Sequence, residues 1–450
     1  MDALRLSATS GLRFARDLDS LGRDDVERLQ RQNLTVTVVA ALRTPAVRER
    51  WPDLDKVVDV EDLARLPLLT PAELAEGCPP RSTEFLLDGD GPGLVLRSSG
   101  TSGRAKMMFH SWQAERQVEY LGARGVRAAL SEPVRRVANC MFPGELNGAF
   151  FFIHGICRQL PALTFPLGSR TPVADTAGLI AEHAIDTVVA SPAFGTELVT
   201  TGPKEALAPL RNFLYLGEAL GEERHRAVTS AAPDLTVRSL SYSTNETGPV
   251  GYQCRRVGGS THHVHEDGVV VEVVDEHTGE PVPPGTVGEV VVTPVADSGM
   301  ALFRYRIGDR GRFEPGTCAC GSAARLITLV GRTAQSMTVD VWTVSSDQLL
   351  TGLADLGVTD PADCQLQVLW EFSTYRVRLL LLRRTPDGIT ANDVLRSMRG
   401  QFQMNKVLTS PRCTAFTVER VDVGQFAATD RGKVPVLYQR LDDGSARQRA

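Results

Sequence analysis

The chain has 450 residues, 42% of them hydrophobic and 23% charged, with a formal net charge of −5. That length supplies apolar surface for two or three cores, and the acidic balance argues against a general nucleic-acid or bilayer binder. The most apolar segment, residues 149–165, is cut by His154, Arg158 and Gln159; no membrane span is expected, no leader peptide is read, and a cytoplasmic location is predicted.

Residues 1–75 read as mostly helical: Asp24 to Leu42 carries apolar residues at helical spacing, and Glu61–Leu66 and Pro71–Glu76 look like short helices. Gly93-Leu94-Val95-Leu96 reads as a short buried strand. It runs into Arg97-Ser98-Ser99-Gly100-Thr101-Ser102-Gly103-Arg104-Ala105-Lys106. Glycines turn backbone N–H groups toward an anion, hydroxyls add neutral donors and the cations supply charge, a combination suited to a polyphosphate. The spacing is not that of a P-loop, and a Ser/Gly-rich turn is the plain alternative.

Between 90 and 250, strand-like runs (Val134–Met141, Ala162–Phe165, Thr187–Ala190, Phe213–Leu216, Thr236–Tyr242) alternate with helical ones such as Thr176–Ile185 and Glu222–Ala231. This predicts a wound α/β sheet. Tyr242-Ser243-Thr244-Asn245-Glu246-Thr247-Gly248 then falls where α/β sheets place ligand sites, past the end of a strand. From Gly268 to Thr293 the pattern turns to β and continues through Arg312-Phe313 and Leu326–Val330. Within it Phe303-Arg304-Tyr305-Arg306-Ile307-Gly308-Asp309 ends in a carboxylate able to accept both hydroxyls of a ribose.

A domain boundary is placed near residue 333. Beyond it strands are expected at Cys364–Trp370, Tyr375–Leu382 and Cys413–Val421, a helix over Ala391–Gln401, and a disordered tail after Leu441. Thr429-Asp430-Arg431-Gly432-Lys433 holds one of only five lysines in the chain, the others being Lys56, Lys106, Lys204 and Lys406. Where arginine serves almost everywhere, a lysine is informative. The eight cysteines are scattered, with one close pair at Cys318 and Cys320, unlike a secreted disulfide framework.

In order and rough spacing these pieces resemble the adenylate-forming (AMP-producing) acyl ligases. The similarity is to the phenylacetate–coenzyme A ligase branch, whose opening run is similar to Leu66-Pro67-Leu68-Leu69-Thr70-Pro71-Ala72-Glu73-Leu74. The resemblance implies a large N-terminal adenylation domain over 1–332, with a wound α/β sheet plus a small β unit at about 254–330. A small mobile α+β domain over 333–450 follows, swinging about a hinge after Gly331-Arg332. It implies ATP and Mg²⁺ as cofactors. The nucleotide set would be Ser98, Ser99, Gly100, Ser102, Gly103 and Lys106 on the phosphates, Gly217-Glu218-Ala219 and Tyr242 at adenine, and Asp309 with Arg332 at the ribose. Ser243 and Asn245 stand where the family usually has Gly and Ser/Thr, an amide still being able to donate to a phosphate. Thr101, Glu246 (on Mg²⁺) and Lys433 are implied as catalytic.

The implied reaction joins a carboxylic acid to AMP with release of pyrophosphate, then passes the acyl group to coenzyme A or another nucleophile. Two readings of the acceptor stay open. After Gly331-Arg332 the usual hinge acid and loop glycine are missing, and Asp340, Val341 and Trp342 stand where a phosphopantetheine arm would pass. An amine, a carrier protein or another nitrogen nucleophile is the alternative, with nitrite as an unusual acid. A catalytically silent nucleotide-binding relative is the reading of another class. An enzyme of secondary metabolism fits the drift.

Cys254, Cys318 and Cys320 with His263 resemble the branch's Cys…His…Cys-x-Cys set for a structural Zn²⁺; His262 and His265 remain alternatives, and strand alternation puts His263 and His265 on one face. Phe142, Phe151, Phe194 and Tyr215, with Phe152, are candidate walls of a pocket for a small aromatic or hydrophobic acid. The expected partners are small molecules, with neither nucleic acid nor membrane, and a homodimer is left open.

Overall fold

The computed structural model describes residues 3–5, 13–15, 17–87, 91–98, 106–295, 299–332, 336–340, 342–427 and 434–441. The alternation between 90 and 250 forms a parallel sheet of five strands, in spatial order Leu163–Pro166, Arg136–Asn139, Thr187–Ala190, Asn212–Tyr215 and Thr236–Ser239. Thr187–Ala190 is buried at every position, as befits a strand covered on both faces. From Arg136–Asn139 the chain goes to a strand on one side and then to one on the other. That reversal opens a crevice at the carboxyl ends.

Gly93–Ser98 is not a buried strand of this sheet. It pairs antiparallel with Lys106–Ser111, Ser98 opposite Lys106, and only Leu96 and Ser98 are buried along it. A four-residue apolar run cannot distinguish one-sided from two-sided burial.

The run read as one strand over Thr236–Tyr242 is two. Thr236–Ser239 stays in the parallel sheet, while Tyr242–Thr244 begins an antiparallel sheet of seven strands. Its order continues Gly248–Tyr252, Thr261–Val264, Leu326–Arg332, Tyr305–Phe313, Gly288–Pro294 and Val269–Val274. The β unit therefore begins at 242 and not 254, and it has more strands than the parallel sheet.

The N-terminal helices pack on this sheet through Trp51, whose ring lies 5.9 Å from Phe85 and 5.3 Å from Phe303. The run around Leu66–Leu74 has a local cause. Thr70 caps the helix Pro71–Gly77, its hydroxyl accepting from Glu73 N while Glu73 accepts from Thr70 N at 2.8 Å.

After residue 335 a hairpin, Ser336–Val339 with Trp342–Ser345, precedes a mixed four-stranded sheet ordered Cys413–Val421, Thr374–Leu382, Cys364–Glu371, Leu437–Leu441. Every buried member of the core on this sheet except Ala193 comes from residues 337–437. The helix expected over Ala391–Gln401 ends at Ser397; a 3₁₀ turn, Met398–Gly400, leads into an unforeseen helix, Phe402–Thr409. Among the described residues no helix is long and apolar enough to cross a membrane.

Candidate active site

A cleft of about 910 Å³ lies where the parallel sheet's carboxyl ends, the 93–111 hairpin, the antiparallel sheet and the 336–345 hairpin converge. Its floor follows from alternation along Lys106–Ser111, which buries Lys106, Met108 and His110 on one face. Lys106, 2% exposed, sits 2.5 Å from Glu246 Oε1 and donates to the Tyr305 hydroxyl at 2.7 Å. Tyr305 in turn donates to Glu246 Oε1 at 3.2 Å, and the Ser98 hydroxyl donates to the same oxygen. Burial alone would raise the Glu246 carboxyl, but Lys106 and the Lys106 and Ser98 hydrogen bonds bring it down to about 2. Burial, and then Glu246 itself, push the Tyr305 phenol well above its usual range, so it stays a neutral donor.

Asp309 stands directly across the ladder from Arg332, whose Nε lies 3.0 Å from Asp309 Oδ1; the Tyr242 hydroxyl donates to Oδ2 at 2.9 Å. Three motifs far apart in sequence thus fix one carboxylate. Gly217, at φ 100° just past the strand Asn212–Tyr215, turns Glu218 and Ala219 along the cleft wall. Glu218 pairs with Arg224 at 3.2 Å. Burial pushes its carboxyl up to about 7, with Arg224 opposing and Asp340 adding to the rise.

Ser98, Lys106, Gly217, Glu218, Ala219, Tyr242, Ser243, Asn245, Glu246, Asp309, Arg332 and Tyr215 all border this one cleft. Ser99, Gly100, Thr101, Ser102, Gly103 and Lys433 lie outside the described residues. The Asn245 amide donates one N–H to the Arg97 carbonyl at 2.9 Å, tying the segment to the strand Gly93–Ser98. Its own carbonyl faces His110 Nε2 at 2.7 Å, and His110 Nδ1 faces Glu115 at 2.8 Å.

Of the five aromatic pocket candidates, Tyr215 and Phe152 border the cleft and three do not. Phe151 is 47% exposed, Phe194 is in the core beneath the sheet, and Phe142 packs edge-on against Trp342 at 6.3 Å. Met141, not among the candidates, also borders it. Residues 150–152 are all Phe, and such a run carries no helical phase. Sequence reasoning also passed over Tyr305, although it shares a face with Asp309 at strand spacing.

The 336–345 hairpin brings Ser336, Thr338 and Trp342 to the cleft. Asp340, at its turn with φ 59°, pairs with Arg412 at 2.8 Å, and Arg412 donates to Ser169 O at 2.6 Å. Trp342 also meets Phe402, ring centroids 5.6 Å apart, and Arg97 lies 4.0 Å over the Phe402 ring.

Away from the cleft, Cys254, His263, Cys318 and Cys320 gather with all four donor atoms within 4.8 Å of one another. Cys254 Sγ is 3.8 Å from Cys318 Sγ, and Cys320 Sγ is 3.5 Å from His263 Nε2. Those are edge lengths of a tetrahedron with ligands roughly 2.0–2.3 Å from its centre. His263 Nδ1 faces Ala324 O at 3.2 Å, which leaves Nε2 toward the thiols. His263 and His265 do share a face, both stacked on Tyr252, but His265 Nδ1 is engaged by Arg124 at 2.7 Å and His262 lies on the opposite face.

Residues 26–295 match the family described as AMP-binding enzyme. The phenylacetate-coenzyme A ligase of Thermus thermophilus is 26% identical over 335 residues, covering 70% of this chain and 72% of that one. The Escherichia coli K12 enzyme of the same name is 25% identical over 312 residues, covering 65% and 68%. Among solved structures, a 2-hydroxyisobutyryl-CoA ligase with 2-HIB-AMP and CoA in its thioesterification state superposes with a TM-score of 0.76 at 16% identity, over 95% of this chain and 93% of that one. The same ligase in its postadenylation state gives 0.63 over 99% and 95%.

Proposed function

The chain belongs to the AMP-binding enzyme family, as an AMP-forming acid ligase, and from that premise we propose that it adenylates a small hydrophobic carboxylic acid and passes the acyl group to a second nucleophile. An acid oxygen attacks the α-phosphorus of ATP and the bond to pyrophosphate breaks. The acceptor then attacks the acyl carbon and AMP leaves. The observation that carries this reading is the convergence of the Lys106–Tyr305–Glu246 group and the Tyr242–Asp309–Arg332 group on one cleft. The first suits phosphates and the second a ribose. Glu246, ionised by its surroundings, would hold Mg²⁺, which supplies charge neutralisation to the leaving pyrophosphate. Ser98, Thr101 and their neighbours would donate to phosphate oxygens, and Lys433 would offset charge moving between attacking and leaving oxygens.

Tyr215, Met141 and Phe152 support an apolar acid. For the acceptor, the relatives' names support coenzyme A. A nitrogen nucleophile is favoured by Trp342, packed between Phe142 and Phe402 at the cleft edge, whereas Asp340, paired with Arg412, presents no free charge to a cofactor. The test is acid-dependent ATP–pyrophosphate exchange across aliphatic and aromatic acids, repeated as product formation with coenzyme A and with amines. Exchange that rises with none of the acids rejects the proposal.

We also propose that the Cys254–His263–Cys318–Cys320 cluster holds a structural Zn²⁺, clamping the antiparallel sheet to the 318–325 loop. Protein purified without chelator is expected to carry about one zinc per chain, falling to about zero in Cys318→Ser, by metal analysis. Less than about half an equivalent in the parent protein counts against the assignment.

A further inference from the structure

His262 has no role in anything described above. It lies on Thr261–Val264, 4% exposed, and borders the nucleotide cleft beside Tyr242, ring centroids 5.8 Å apart. Its Nδ1 faces the Ser260 carbonyl at 3.3 Å. A carbonyl only accepts, so the ring proton sits on Nδ1 and the Nε2 lone pair is left as an acceptor. Nε2 is buried and has no hydrogen-bond partner among the described residues. Such an atom in a cleft wall awaits a donor.

The cleft has an order that says which donor. Glu246 and Lys106 mark the phosphate end and Asp309 the ribose, so the Tyr242–His262 wall faces the base. Adenine carries an exocyclic amino group, a donor; hypoxanthine and guanine carry a carbonyl oxygen at the same position, which would oppose lone pair to lone pair. We propose that His262 Nε2 accepts a hydrogen bond from the amino group of the bound base and so selects adenine over 6-oxopurines. The inference rests on the nucleotide reading above.

The test compares acid-dependent pyrophosphate release with ATP, ITP and purine riboside triphosphate, which lacks the amino group without gaining an acceptor. The parent enzyme is expected to prefer ATP over ITP by about 100-fold or more in kcat/KM, and over the purine riboside by about 10-fold. In His262→Leu the ATP/ITP preference should shrink about 10-fold or more, mainly through KM for ATP, and in His262→Gln, whose amide can donate, ITP should regain use. Equal use of ATP and ITP by the parent enzyme, or an undiminished preference in His262→Leu, overturns the proposal. If both variants are inactive with every nucleotide, the parent enzyme's comparison of ATP with the purine riboside decides alone. A parent enzyme that releases pyrophosphate from none of the three nucleotides with any acid defeats the nucleotide reading and this inference with it.

Discussion

Glu246→Gln is expected to lower acid-dependent exchange by at least about 100-fold and to destabilise the fold by about 3–5 kcal/mol, because it strands the buried Lys106 cation. The two losses separate in a second variant. Lys106→Met combined with Glu246→Gln removes both charges, so stability should return to within about 1–2 kcal/mol of the parent while exchange stays lost. Urea unfolding and the exchange assay read the two quantities on the same preparations. Acid adds a further check. The Glu246 carboxyl falls from 4.5 to about 2 on folding, so its contribution is full above about pH 4.5 and disappears as pH drops toward 2. That shift corresponds to on the order of 3 kcal/mol, and the double variant should lack this part of the acid lability. A Glu246→Gln protein as stable and active as the parent would mean that Lys106 has another counter-ion.

The cleft was legible where its chemistry sits in short contiguous runs. Tyr242 to Glu246 and Phe303 to Asp309 each announce themselves by polar residues at a strand end, and both reach the same cavity. What the runs could not say is which neighbours answer them. Tyr305 was read only as part of a strand, yet its hydroxyl links Lys106 to Glu246. Asn245 reads as a phosphate donor, and what the run could not say is that a main-chain carbonyl 148 residues away takes one of its two amide N–H bonds. The passage from one sheet to the other at Leu240-Ser241 has no Gly or Pro to mark it, so Thr236–Tyr242 read as one strand. Alternation put His263 and His265 on one face, and only tertiary contacts distinguish them: the thiols approach one and Arg124 the other.

The run His263 to Asp267 leads to the other large effect, Asp267→Asn, expected to cost about 3–5 kcal/mol and lower the melting temperature by about 10 °C. Asp267 is fully buried and grips Arg124, itself 3% exposed, through both oxygens at 2.6 and 2.7 Å. The same carboxylate accepts from Ala15 N at 2.9 Å, and Arg124 donates to Ala15 O at 3.1 Å and to His265 Nδ1 at 2.7 Å. An amide keeps the shape but removes the charge and aims an N–H₂ at a guanidinium that only donates. The buried cation is then uncompensated. Because His265 stacks on Tyr252 at 4.6 Å, and Tyr252 on His263 at 5.2 Å, the disturbance should reach the thiol cluster. Zinc transfer to a chromogenic chelator should be faster than in the parent protein, while Glu27→Gln, a change to an exposed i,i+4 pair with Arg23, should leave both melting and transfer unchanged. An Asp267→Asn protein that melts within about 2 °C of the parent would require Arg124 to be solvated or otherwise neutralised, contrary to its burial on the helix Trp112–Ala129 against Ala15, His265 and Asp267.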